Sequence, residues 1–269
     1  MARDLLVCDL DGTLVDSSLE LDPALVAAFR LAMERGLLIS LATGRMPPGV
    51  ARYRDELGLT APLIFYNGAL IRDPAAGRDL LALTLPRGLL REAYEVFAHA
   101  PVHPLFYRDD RLYCLERTFP VQAYGEEQGI QPHVIAAPEE FLALGAFVKT
   151  LFMAHPATLA LLRPELEAVA GERARLVMTR TDYLEMIPAT ASKGDAMRRL
   201  AQHLGVPLGR VVAVGDQEND REMLVAAGLG VAMPQAPAPV REAADRVAPL
   251  PRDGGLLALL REVLPAYFV

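Results

Sequence analysis

Short, almost wholly apolar runs constrain this chain more than any other feature. Leu5-Leu6-Val7-Cys8 opens it, Leu37 to Ala42 and Leu63 to Tyr66 follow, and Val211 to Val214 recurs near the other end. Such runs suit strands buried on both faces, as in a parallel sheet covered by helices. The segments between them supply the helices. Asp22 can cap a helix with Pro23 in its first turn; Ala24 to Glu34 carries apolar residues at helical spacing, and Gly36 can end it. A helix is expected from about Gly49 to Leu57, ending near Gly58, and another from Lys193 to Leu204, stopped by Gly205. Arg221 to Ala227 and Leu256 to Val263 read as helices, Val231 as a short strand, and Pro234 to Pro239 as a loop. This alternation gives an α/β core with parallel strands.

From about Leu83 the rhythm changes. A helix near Pro86 to Ala98 precedes strand-like pieces at Pro104 to Arg108, Leu112 to Glu116 and Ala146 to Met153. A helix over Pro156 to Val169 and strands over Ala174 to Thr179 and Tyr183 to Ile187 follow. The expected architecture is α/β: a Rossmann-like parallel-sheet core from residues 1–83 and 188–269, with an α+β domain, 84–187, inserted between them.

Composition removes several function classes. The net charge of -7 argues against a general nucleic-acid binder, which needs a basic face. No stretch reaches the roughly 20 apolar residues of a membrane span; the richest, Leu142 to Met153, is broken by Lys149. The N-terminus MARDLLVCDLDG has too short an apolar run for a signal peptide, and Asp4 interrupts it. Two cysteines, Cys8 and Cys114, read as reduced thiols of a cytoplasmic protein. Of the 27 basic residues only Lys149 and Lys193 are lysine, and Asn67 and Asn219 are the only asparagines. A residue type that persists against such a bias is a candidate for chemistry that its substitutes cannot perform.

Four segments carry candidate chemistry. Asp9-Leu10-Asp11-Gly12-Thr13-Leu14 directly follows the first buried strand. Ligands in open α/β sheets sit beyond the C-terminal strand ends, so two carboxylates there can face one site. One can attack phosphorus while the other moves protons. Thr43-Gly44 closes the second strand and offers a hydroxyl and backbone N–H groups to phosphoryl oxygens. Lys193, at the start of a helix, can neutralise charge on a transferring group. Gly215-Asp216-Gln217-Glu218-Asn219-Asp220 follows another buried strand and supplies the hard oxygen ligands that Mg²⁺ prefers. Acidic turns and helix caps use the same residues, so each segment alone is ambiguous. Together, each at a strand end or helix start, they can face one sheet edge.

The order and type of these motifs resemble the haloacid dehalogenase superfamily of phosphohydrolases, and more closely its Cof-type branch (class IIB), which has a large cap inserted after the third core strand. The resemblance runs from Asp9 to Asp253-Gly254, with DLDGTL and GDQEND…REML…GVAM the most specific parts and ATGR and SKG supporting them by spacing. It implies a nucleophile and Mg²⁺ ligand at Asp9. It implies a general acid and base at Asp11, whose carbonyl also binds the metal. Phosphoryl contacts fall to Leu10, Thr43, Gly44, Lys193 and Asn219, the third metal ligand to Asp216, and an anchor for Lys193 or a metal-bound water to Asp220. Arg45 and Asn67 would border the substrate cavity. The cofactor would be Mg²⁺, the substrate a small phosphorylated metabolite such as a sugar phosphate or a phosphorylated cofactor or precursor, and the protein a monomer or homodimer. A closing cap would exclude water and select the leaving group. The alternatives are a phosphomutase, which would need a smaller helical cap where only seven residues separate Asp16 from Ala24, and a non-catalytic metabolite sensor, which need not keep both carboxylates. Pro249 to Asp253 departs from the Asn-rich acidic stretch of many relatives, and His99, His103, His133 and His155 lack metal-ligand spacing.

Overall fold

The computed structural model describes residues 4–135, 140 and 145–268. Residues 1–3 of the N-terminal segment and 142–144 of the apolar run lie outside the described residues. The chain divides into two compact units: Met1–Arg45, Val50–Leu81 and Ser192–Val269 form one, and Met46–Gly49 and Ala82–Ala191 the other.

The first unit is built on a five-stranded parallel sheet. Its strands are β1 (Leu5–Cys8), β2 (Leu38–Leu41), β12 (Val211–Gly215), β13 (Leu229–Ala232) and β14 (Arg246–Val247), in the order β14-β13-β12-β1-β2. β1 aligns Cys8 with Leu41 on one side and with Val214 on the other. Leu5, Val7, Val211 and Ala213 are buried in one apolar cluster with Ile64, Met197, Leu200, Met223 and Leu224. Each Val, Leu, Ile or Met side chain there contributes about 1.5–3 kcal/mol when fully buried. Helix α1 (Pro23–Glu34) starts as its sequence directs, with Asp22 Oδ1 accepting from the Ala24 N–H at 2.8 Å. Helix α2 (Ala51–Leu57) is preceded by a 3₁₀ turn at Pro47–Val50.

Leu63–Phe65 departs from a plain third parallel strand. This strand, β3, touches the main sheet through an isolated parallel bridge between Ala42 and Ile64. It then pairs antiparallel with β4 (Leu70–Asp73), which neighbours β5 (Arg78–Ala82) in a separate three-stranded sheet. The turn at Tyr66–Gly68, with all three residues at positive φ, makes the reversal from β3 to β4, and in the next turn Asp73 Oδ1 accepts the N–H groups of Ala75 and Ala76 at 2.9 and 3.0 Å. A helix, Ala238–Ala243, also begins inside the expected loop Pro234 to Pro239, because Pro239 fits a first helical turn as readily as a loop.

The second unit contains a six-stranded sheet. Its strands are β6 (His103–Arg108), β7 (Arg111–Cys114), β8 (His133–Val134), β9 (Lys149–Met153), β10 (Ala174–Arg180) and β11 (Tyr183–Pro188), ordered β10-β11-β9-β6-β7-β8. All pairs are antiparallel except β7 with β8. Helices α3 (Leu89–Phe97) and α5 (Pro156–Ala170) share an apolar cluster with the sheet residues Phe106, Phe152, Leu184 and Met186. Among the described residues of this unit, two elements have no counterpart in the sequence reading: β8, and helix α4 (Phe119–Gln128). In α4 the apolar residues do not mark one face, since Val121 is buried while Phe119 is 83% exposed. His103 Nδ1 lies 3.2 Å from Thr118 Oγ1, and His155 Nδ1 accepts the Ala157 N–H that opens α5. No helix of the described residues is long and apolar enough to cross a membrane. Cys8 and Cys114 are buried and unpaired, and burial pushes both thiols up from their ordinary pKa.

Thr150 stands in register between Phe106 and Met186, and its Oγ1 is buried without a partner among the described residues. An unpaired hydroxyl in apolar surroundings costs about 1–3 kcal/mol. Thr150→Val should therefore stabilise the protein by about 1 kcal/mol in urea unfolding. A destabilisation of that size would mean the hydroxyl is satisfied in solution.

Candidate active site

The strand order fixes where a site can form. β1 has β2 on one side and β12 on the other, so the chain order reverses at β1, the place where open α/β sheets take their ligands. Asp9 follows β1, and its N–H donates to Val214 O at 2.8 Å. Thr43 follows β2 and Asp216 follows β12. After Asp9 the backbone doubles back: Leu10 O accepts from Leu14 and Val15, and the Gly12 N–H donates to Val15 O at 2.7 Å. Gly12 has φ +83°, and a Cβ on it would lie 2.3 Å from Asp216 Oδ2. The DxDG turn thus needs a residue without a side chain, both for its conformation and for the carboxylate beside it.

Lys193 begins helix α6 (Lys193–Leu204), where Ser192 Oγ accepts the Asp195 N–H at 3.0 Å. Its Nζ is buried between two carboxylates, 2.6 Å from Asp9 Oδ1 and 2.6 Å from Asp220 Oδ1. The other oxygen of Asp220 accepts the backbone N–H groups of Asp216 and Gln217, both at 2.9 Å. Both Asp220 oxygens are therefore engaged, and the residue fixes the loop and the ammonium together. Asp216 accepts from Gln217 Nε2 at 2.9 Å and from Thr13 Oγ1 at 3.3 Å.

Asp9, Asp216 and Asp220 are buried, and each offers an oxygen within 4.8 Å of the others. One ammonium among three carboxylates leaves two negative charges when all are ionised. Burial pushes Asp9 well above the usual carboxylate range; Lys193 pulls it down, while Asp220 and Asp216 push it further up. Burial raises Asp216 too, aided by Asp220. Burial alone would lower Lys193, but Asp220 and Asp9 hold its ammonium above the ordinary lysine value. The excess of negative charge is what a divalent cation would balance, and all-oxygen donors suit Mg²⁺. The residues present fit that ion.

Other residues singled out in the sequence stand differently. The Asp11 carboxylate does not join the buried cluster. Arg45 grips it with two contacts, Nε to Oδ2 at 2.8 Å and Nη2 to Oδ1 at 2.5 Å, and the Asp11 side chain is 48% exposed. Arg45 is buried, with its guanidinium 5.4 Å from the Tyr53 ring centre and its N–H donating to Thr43 Oγ1 at 3.1 Å. Arg45 thus holds the second carboxylate of the DxD, a role its place in ATGR did not indicate. Asn67 donates its N–H to Thr43 O at 3.0 Å, and its Oδ1 accepts from Asn219 Nδ2 at 2.9 Å. Gly44 lies beneath this carboxamide, and a Cβ there would come 3.1 Å from Asn67 Oδ1. The sequence reading missed two glutamines. Gln217, inside GDQEND, holds Asp216, and Gln235 donates to Gly12 O.

Against known proteins, the family profile of haloacid dehalogenase-like hydrolases matches residues 6–260. The chain belongs to the haloacid dehalogenase-like hydrolases. It is 32% identical over 242 residues to the HMP-PP phosphatase of Escherichia coli (strain K12), covering 87% of this chain and 86% of that protein. It is 28% identical over 266 residues to a protein of Arabidopsis thaliana named endoribonuclease YBEY, chloroplastic, and spans only 42% of that protein's length. The crystal structure of a haloacid dehalogenase-like hydrolase from Bacteroides thetaiotaomicron matches with a TM-score of 0.89 at 24% identity, covering 97% of this chain and 99% of that one. This haloacid dehalogenase-like chain is accordingly a phosphatase by family, with a parallel-sheet core and a separate antiparallel-sheet domain.

Proposed function

We propose that this phosphatase hydrolyses the monoesters of small phosphorylated metabolites through an aspartyl-phosphate on Asp9, with Mg²⁺ as cofactor. The observation that carries the reading is the buried Asp9–Lys193–Asp220 array beside Asp216 at the switch point of the sheet. Asp9 attacks phosphorus, and the bond to the leaving oxygen breaks. Asp11 delivers a proton to that oxygen, then takes one from the water that attacks the aspartyl-phosphate and frees inorganic phosphate. Arg45 sets the starting position of the Asp11 carboxylate. Lys193 offsets the repulsion between Asp9 and a phosphate dianion, and Leu10, Thr43, Gly44 and Asn219 contact the phosphoryl oxygens. Mg²⁺, held by Asp9, Asp216 and the Asp11 carbonyl, would supply charge neutralisation on the phosphoryl group. The core is assigned to 1–83 and 188–269 and the specificity domain to 84–187. The relation to an HMP-PP phosphatase adds HMP-PP to the sugar phosphates and phosphorylated cofactors or precursors to be tried.

The test is phosphate release from a panel of such monoesters with and without Mg²⁺. Release that needs the ion supports the reading. No release from any ester, including p-nitrophenyl phosphate, contradicts it.

The buried charges give a second expected result. A carboxyl whose folded pKa is raised contributes stability that is present below the ordinary carboxylate range and lost as pH rises through the raised value. Asp9 and Asp216 are both raised, so metal-free protein should lose stability as pH climbs above about 4. Mg²⁺ would reverse that loss, so the gain in Tm on adding Mg²⁺ should grow with pH. A gain that is flat across pH 4–8 would contradict this account of the site.

A further inference from the structure

The chain's only two asparagines stand 152 positions apart and are hydrogen bonded to each other, Asn219 Nδ2 to Asn67 Oδ1 at 2.9 Å. This pairing is built at some cost in backbone freedom. Asn67 is buried at φ 55°, inside a run of left-handed residues from Tyr66 to Gly68. The run is anchored on both sides. Tyr66 donates its N–H to Arg45 O and Asn67 to Thr43 O, while a Cβ on Gly68 would fall 2.0 Å from Ser192 O. One turn therefore braces the Thr43–Gly44 loop and the start of the Lys193 helix. Asn219 is the side chain it reaches by its own amide.

The other end of the Asn219 carboxamide is unsatisfied: Oδ1 is buried and has no partner among the described residues. That oxygen can only accept, so it suits an ordered water or another donor; a phosphoryl oxygen has to be met by the second hydrogen of Nδ2, whose first hydrogen Asn67 holds. We propose that Asn67 is a positioning residue, which sets the plane of the Asn219 carboxamide so that its second Nδ2 hydrogen meets a phosphoryl oxygen. This inference rests on the phosphatase reading for the ligand, but the pairing itself does not depend on turnover. Asn67 acts through Asn219 and does not touch the reacting atoms. Aspartate would keep the acceptor but add charge beside a phosphate, so the amide is the form of this side chain compatible with an anionic ligand.

The direct test labels the protein with [¹⁵N]asparagine, which gives two side-chain NH₂ groups in all. Wild type and Asn67→Gly are titrated with inorganic phosphate in saturating Mg²⁺. Glycine keeps the left-handed backbone and removes only the side chain. In wild type the Asn219 NH₂ should exchange slowly and shift on phosphate addition. In N67G its exchange protection should vanish and phosphate affinity at this reporter should fall about tenfold, with little change in Tm. Equal phosphate affinity in both proteins, or unchanged protection of Asn219 in N67G, would overturn the proposal. A kinetic cycle separates positioning from packing. N67G and N219A should each lower kcat/KM about 10- to 100-fold, and the double variant should be no worse than the weaker single. Additive losses would overturn the proposal, because Asn67 would then act by another route. Should wild type release no phosphate from any ester, the phosphatase reading falls, while the titration still decides whether Asn67 sets Asn219 for an anion.

Discussion

Asp9→Asn should lower phosphate release by on the order of 10⁴-fold or more, with KM little changed. Asparagine has nearly the size and shape of aspartate, so the loop after β1 should hold. The amide nitrogen cannot attack phosphorus as a carboxylate oxygen does, and the oxygen that remains carries no formal charge. Lys193 would keep Asp220 as its partner, 2.6 Å away, so the helix start should stay in place. Removing a buried carboxylate from a cluster with too much negative charge should also raise the Tm of the metal-free protein. The combination is diagnostic: a dead enzyme that is at least as stable as wild type. Activity within tenfold of wild type would exclude Asp9 as nucleophile.

Lys193→Met should harm both activity and folding. Its ammonium is 2% exposed and is the cation bonded to Asp9 and Asp220. Removing one partner of a buried ion pair leaves an uncompensated charge and costs about 3–5 kcal/mol. The loss should be largest at neutral pH and smaller near pH 5, because Asp9 and Asp216, both held above the usual carboxylate range, take up protons more readily there. Phosphate release should fall about 10²–10³-fold, the scale seen when one preorganised electrostatic contact is removed. Urea unfolding at the two pH values and kcat with saturating Mg²⁺ check both parts. A variant as stable as wild type at pH 7 would show that the ammonium does not neutralise the cluster in solution.

The parallel core was legible because its signals are local. Leu5–Cys8 is a strand over the expected residues, and Asp22, Pro23 and Gly36 bound α1 as their chemistry requires. Buried runs and capped ends depend on neighbours within a few positions. The hairpin after β3 was missed because Tyr66 and Asn67 turn the chain in the left-handed region, and Asp73, which closes the following turn, reads equally as a loop residue. Helix α4 was missed because its polar and apolar residues alternate without a clear stripe. The motif residues lie beside one sheet edge because β1, β2 and β12 are neighbours, and strand order is not written in any short window. The long-range contacts were the least visible. Arg45 reaches Asp11 across 34 positions and Asn67 reaches Asn219 across 152. The scarcity of asparagine and lysine was the one sequence clue to them. It marked Asn67, Asn219 and Lys193, and gave no hint of which side chain each would meet.

The measurement that bears most directly on the central claim is chemical trapping during turnover. Enzyme hydrolysing p-nitrophenyl phosphate with Mg²⁺ is quenched and reduced with borohydride, which converts an acyl phosphate to an alcohol, and the peptide holding residue 9 is sequenced by mass spectrometry. An alcohol at position 9, dependent on substrate and absent without it, is the result expected of an aspartyl-phosphate on Asp9. Unmodified Asp9 in an enzyme turning over at full rate, or an alcohol at Asp11 or Asp216 instead, would contradict it.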